Sequence, residues 1–64
     1  MELKTVCDWK PHDFCHPLAG EFRNTNCIVK EIKKYPADRY ETVVIQPVGS
    51  VRLIEYWFFD LVKI

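Results

Sequence analysis

Two runs of β-branched and aromatic residues, Tyr40–Gln46 and Val51–Phe59, lie on either side of the connector Pro47-Val48-Gly49-Ser50. Apolar β-formers flanking a short Gly-containing turn are the signature of a β-hairpin. Pro47 cannot donate a ladder hydrogen bond, and Gly49 can take a left-handed corner. This hairpin points to a mainly β fold class.

The second run has a feature of its own. Its odd positions are Val51, Leu53, Glu55, Trp57 and Phe59, and its even positions are Arg52, Ile54, Tyr56 and Phe58. A strand with one wet face alternates between apolar and polar side chains. Here both sets are largely apolar. The expectation is therefore a central strand covered on both sides, or a strand with one face used as an interface.

Upstream, Cys27-Ile28-Val29-Lys30-Glu31-Ile32-Lys33-Lys34-Tyr35 carries two signals. Ile28, Ile32 and Tyr35 recur at helical spacing, and Asn24 or Thr25 is a suitable cap. The Cys-Ile-Val start is strand-like, and Pro36 ends the segment too soon for a self-sufficient helix. We read a strand with a bulge where the alternation slips, followed by a turn at Pro36–Arg39. Asp60–Ile64 reads as a turn and a short closing strand, Val62–Ile64.

The first 26 residues are less regular. Leu3–Val6 suits an opening strand. Cys7–Pro17 reads as a structured loop, with room for one helical turn from His12 to His16. Leu18–Gly20 ends that turn, and Asn24-Thr25-Asn26 marks another turn. The expected organisation is one domain over 1–64, in which 1–26 form a strand plus structured loop and 27–64 a strand meander of about five strands in all.

Strand, turn, strand, tight turn, strand, helical turn and short final strand is an order that resembles the SH3-like small barrel. Trp57-Phe58-Phe59-Asp60-Leu61-Val62-Lys63-Ile64 looks like its last long strand, 3₁₀ turn and closing strand. The resemblance spans about Cys27 to Ile64 and implies a partly open barrel, a fold that serves many functions. Pro17-Leu18-Ala19-Gly20-Glu21-Phe22 and Gly49-Ser50-Val51 are also similar to stretches of the plasmid-borne type II dihydrofolate reductases. That family reads its substrate with a Val-Gln-Ile-Tyr run. This chain has Val51-Arg52-Leu53-Ile54 there, so the resemblance carries no reductase activity over.

Composition narrows the function. A chain this short leaves roughly 40% of its unfolded surface exposed after folding and depends on a dense core or on a partner. The hydrophobic fraction of 48% and aromatic fraction of 14% supply that density, with aromatic area to spare for a surface. Nine basic and nine acidic residues give a formal net charge of zero, without the basic excess of a dedicated nucleic-acid binder. Three cysteines are an odd set for a disulfide scaffold. With no apolar leader at Met1-Glu2-Leu3-Lys4 and no run approaching the ~20 apolar residues of a membrane span, the expectation is a cytoplasmic chain with free thiols and no membrane association. A small phage or bacterial accessory protein fits that description.

Four constellations bear on chemistry. Cys7, His12, Cys15 and His16, with Cys27, are soft or borderline metal ligands, but no Cys-x-x-Cys pair exists and no metal or other cofactor is expected. Cys15 beside His16 is not a nucleophile–base arrangement, since chain neighbours rarely face each other, so no catalytic residue is assigned. Lys30, Lys33, Lys34, Tyr35 and Arg39 place cations and an aromatic around one turn, the pattern of a nucleic-acid contact, interrupted by Glu31, Asp38 and Glu41. Trp9, Phe14, Arg52, Tyr56, Trp57 and Phe58 make an aromatic set with a charged rim, suited to a protein interface. The reading from sequence is a non-enzymatic module docking on a protein partner as an inhibitor or accessory subunit. A nucleic-acid-binding regulator is the alternative. An exposed edge strand would also permit a homodimer.

Overall fold

The computed structural model describes residues 7–64. Five antiparallel strands form one open sheet: β1 (Phe14–Pro17), β2 (Cys27–Lys33), β3 (Thr42–Pro47), β4 (Ile54–Trp57) and β5 (Leu61–Lys63). One 3₁₀ turn, Phe58–Asp60, joins the last two. The strand order is β4-β3-β2-β1-β5, so the mainly β class is as the sequence indicates. The opening strand expected at Leu3–Val6 lies outside the described residues.

The order forces curvature. β4 and β5 sit at opposite ends of the sheet, yet only Phe58–Asp60 separate them in sequence. Four strand spacings in a flat sheet would put them about 19 Å apart. A 3₁₀ turn advances only ~2 Å per residue and cannot cover that gap. The sheet must curl until its ends approach, and its concave face becomes the core. Trp9, Cys15, Cys27, Val29, Val43, Ile45, Phe58 and Leu61 fill it. The register explains the selection: Val29 faces Ile45, Ile32 faces Val43, and Val43 faces Tyr56, all on this side. The indole N–H of Trp9 donates to the carbonyl of Phe58 across 2.9 Å, a buried bond that ties the N-terminal loop to the 3₁₀ turn.

Cys27–Lys33 is a strand, and its pairing with β3 slips between Val29 and Glu31. The bulge lifts Lys30 out of register and returns Ile32 to the core side. The helical spacing of Ile28, Ile32 and Tyr35 is thus a by-product of a bulged strand.

Three expectations are corrected. The helical turn proposed for His12–His16 is absent: His12 takes φ 76° and reverses the chain, and Phe14–Pro17 are extended. Pro17 disfavours helical geometry in His16, and β1 gains ladders on both sides, to β2 and to β5. The strand expected over Val51–Phe59 shrinks to Ile54–Trp57. Val51–Leu53 belong to the connector, where the Arg52 N–H bonds the Ser50 hydroxyl (3.1 Å) and the Gln46 amide bonds the Ser50 carbonyl (2.6 Å). Finally, β4 is an edge strand. The strand covered on both faces is β3, whose Thr42 and Val44 are buried on the convex side as well. The register sets Glu31, Lys33, Glu55 and Trp57 beside them on β2 and β4, and long stems and rings at such positions can cover apolar surface.

Gly20 has φ +89°, and a Cβ there would lie 2.8 Å from the Tyr56 hydroxyl oxygen, which donates to the Ala19 carbonyl. Gly49 has φ +86° with open space around it. Gly20→Ala is therefore expected to cost about 1–3 kcal/mol and Gly49→Ala about 1–2 kcal/mol, the latter from backbone strain alone. Denaturant midpoints of the two variants, compared at equal m-value, isolate the contact with Tyr56.

Candidate functional site

The odd-numbered positions of the segment around β4 share one property. Val51, Leu53, Glu55, Trp57 and Phe59 are all exposed, Val51 at 92%, Trp57 at 38% and Phe59 at 42%. The even positions differ from Ile54 onward: Ile54 and Tyr56 are half-buried against the core and Phe58 is fully buried, whereas Arg52, in the connector, is exposed. Period-two alternation turns Glu55 and Trp57 outward within β4. Phe59 joins them by stacking on Trp57 from the 3₁₀ turn, and Val51 and Leu53 are exposed in the connector before the strand, so that an exposed apolar row is interrupted by one carboxylate. The row follows the free edge of the sheet, since β4 pairs only with β3 among the described residues.

At one end of the row the aromatic rings are ordered. Trp57 and Phe59 stack with centroids 6.0 Å apart and planes 6° from parallel. Tyr40 meets Phe59 edge to face at 5.6 Å, and Phe59 meets buried Phe58 in the same way at 5.3 Å. An exposed pair braced against the core in this manner presents fixed apolar area and loses little entropy on contact.

Glu55 is held from two sides. One carboxylate oxygen accepts from the Thr42 hydroxyl and the other from the Tyr35 hydroxyl at 3.1 Å. The Thr42 bond is the main cause of a carboxyl pKa below its ordinary value, with the Tyr35 bond and nearby Lys33 adding to it and desolvation opposing. The same Tyr35 bond raises the phenol pKa. A carboxyl depressed in the fold contributes stability above its unfolded pKa, and that contribution is lost as pH falls through the folded value. Thr42→Val is expected to move the Glu55 titration upward, toward the usual carboxylate range, as followed by NMR of its side-chain carboxyl.

The protein-binding residues read from sequence divide. Trp57 is exposed on the row. Phe14 is exposed, at 52%, but on β1, with β2 and β3 between it and β4. Arg52 is exposed, lying over the Phe22 ring at 5.2 Å and pairing with Glu21 at 3.7 Å. Tyr56 is half-buried, with its hydroxyl bound to the Ala19 carbonyl. Trp9 and Phe58 are corrected: both are core residues, at 5% and 0% exposure, because the curled sheet needs large groups to close its concave face. Phe59, Val51 and Leu53 were missed. Strand alternation could not have found them, because Val51 and Leu53 lie in the irregular connector and Phe59 in the 3₁₀ turn.

The basic cluster is only partly assembled. Lys30, Lys34 and Arg39 are exposed and Lys33 is half-buried. The Lys34 ammonium is engaged by the carbonyls of Tyr35 and Asp38, and Tyr35 is committed to Glu55. Arg39 lies 6.0 Å from the Tyr40 ring centroid. Of the soft-ligand set, Cys15 and Cys27 are in the core, Cys7 and His16 are half-buried and His12 is exposed. No three His, Cys, Asp or Glu side chains come together as a metal site among the described residues.

No family model, no curated protein and no solved structure matches the chain.

Proposed function

We propose that the chain is a non-enzymatic docking module that engages a protein partner through the exposed row along β4. The observation that carries this reading is the stacked, exposed Trp57–Phe59 pair at a free sheet edge, continued by Leu53 and Val51. Exposed apolar rows of this kind are uncommon on monomers and mark interaction surfaces. Aromatic anchors carry much of the energy in protein interfaces, and the open β4 edge offers backbone groups for strand addition. Glu55, at the centre of the row, adds one directional acceptor.

The strand order and the 3₁₀ turn before the closing strand support a finer reading of the fold as an SH3-like, partly open barrel, and the exposed row suits an inhibitor or accessory subunit. No helix among the described residues is long and apolar enough to cross a membrane. The alternative, a nucleic-acid contact at Lys30, Lys33, Lys34, Tyr35 and Arg39, is supported by their position around one turn, but Lys34 and Tyr35 are already occupied.

Paired variants separate the two readings. Trp57→Ala with Phe59→Ala should weaken partner binding by about 30-fold or more, the effect of losing one hot-spot side chain or more. Lys33→Glu with Lys34→Glu should leave it within a few-fold. The reverse pattern would transfer the function to the basic turn.

A further inference from the structure

Cys15 and Cys27 are register partners on neighbouring antiparallel strands, β1 and β2. Both point to the core side, both have 0% exposure, and both are free thiols. The backbone bonds of Val29 define the kind of position they occupy. The His12 N–H donates to the Val29 carbonyl and the Val29 N–H donates to the Asp13 carbonyl, each at 2.8 Å. Val29 is therefore a closely bonded position, and two residues back Cys27 and its partner fall on one as well. Such partners have Cα atoms about 5.5 Å apart, within the disulfide range and near its mode. Their Cβ spacing, at the wide end of cross-strand pairs, asks the strands to close by a fraction of an ångström to about one.

We propose that Cys15 and Cys27 form a reversible cross-strand redox couple, a disulfide site inside the sheet. The reaction is thiol–disulfide exchange with a low-molecular-weight disulfide. One cysteine thiolate attacks the oxidant's S–S bond, forming a mixed disulfide and releasing one thiol. The second thiolate attacks the protein sulfur of that mixed disulfide and releases the second thiol. Two protein S–H bonds are lost, one protein S–S bond forms, and the oxidant leaves as two thiols carrying the two electrons and two protons.

The surroundings set the character of the couple. Burial raises the Cys15 thiol to about 11, with Cys27 and Asp13 adding to the rise, and burial raises Cys27 too. Few thiolates are present in the closed fold, so exchange proceeds through opening of β1. Its neighbour β5, with three residues at the sheet edge, is the smallest barrier to that opening. The Cys27 thiol donates to the Thr25 carbonyl at 3.2 Å, a bond that is given up on oxidation. Once formed, the link pins β1 to β2 across the connecting turns and restricts the unfolded chain.

The test uses the full chain carrying Cys7→Ser, with the same chain also carrying Cys27→Ala as control, each treated with oxidised glutathione and mapped without reduction. The proposal expects the first to stay monomeric, lose both thiols to a bond joining the Cys15 and Cys27 peptides, and gain roughly 5–15 °C in Tm. Dithiothreitol should reverse both changes, and the control should gain nothing. Persistence of both thiols, linkage between chains in place of linkage within one, or a fall in Tm on oxidation would each overturn it.

Discussion

Phe58→Ala is expected to leave the chain largely unfolded at room temperature, while Phe59→Ala, one residue later, leaves it folded. Phe58 has no exposed surface and closes the core where the 3₁₀ turn bridges the two ends of the sheet. Truncating a buried Phe costs about 3–5 kcal/mol. A 64-residue domain has roughly 3–10 kcal/mol in total at typical stability per residue. The loss is therefore comparable with the whole. Phe59 is 42% exposed, and its truncation removes ring contacts with Trp57 and Tyr40 without opening a core cavity. Far-UV circular dichroism and urea titration of the two variants measure the difference. Equal stability of the pair would mean that the 3₁₀ turn presents the other ring to the core.

Trp9→Phe and Trp9→Ala come next. The indole supplies apolar volume to the core and a donor to the buried Phe58 carbonyl. Trp9→Phe keeps much of the volume and removes the donor, which costs about 1–3 kcal/mol for the carbonyl left unpaired. Trp9→Ala adds a cavity and brings the total to about 3–5 kcal/mol or more. The Lys63 ammonium, 5.2 Å from the ring, loses a cation–π contact in the Ala variant. Chemical denaturation gives both values. If Trp9→Ala were tolerated and partner binding lost, Trp9 would belong to a surface and not to the core.

Trp9 and Phe58 show where the sequence stops being informative. The pattern of apolar runs and turn residues is enough to place β2 and β3, because those signals are local; the 3₁₀ turn before the closing strand comes only with the resemblance in element order. Whether a given aromatic faces the core or water depends on how far the sheet curls, and curl is a property of strand order. Trp9 reads as loop because no periodicity surrounds it. It is buried because the concave face beneath Phe58 needs a large ring with a polar handle. The Val51–Phe59 run overstates the strand, which is Ile54–Trp57. Its double-faced apolar pattern leaves two options, a central strand or a strand with one face at an interface; β4 lies at the edge, which removes the first, and β3 takes the covered position. What the double pattern records is one face for the core and one for the surface. The even positions supply Ile54, Tyr56 and Phe58, and the odd positions supply Trp57 and Phe59. The β1 strand was hidden by its two flanking prolines, which read as loop, although Pro17 sits at the strand's last residue, where it breaks no essential ladder bond.

The row along β4 is therefore where protein docking stands or falls. The decisive measurement is affinity capture from the native cell with the immobilised chain, run against Trp57→Ala/Phe59→Ala shown by circular dichroism to be folded, with and without nuclease. A docking module retains a protein on the unaltered chain, insensitive to nuclease and lost from the double variant. Retention that nuclease abolishes, or that the double variant keeps in full, would contradict protein docking through this row.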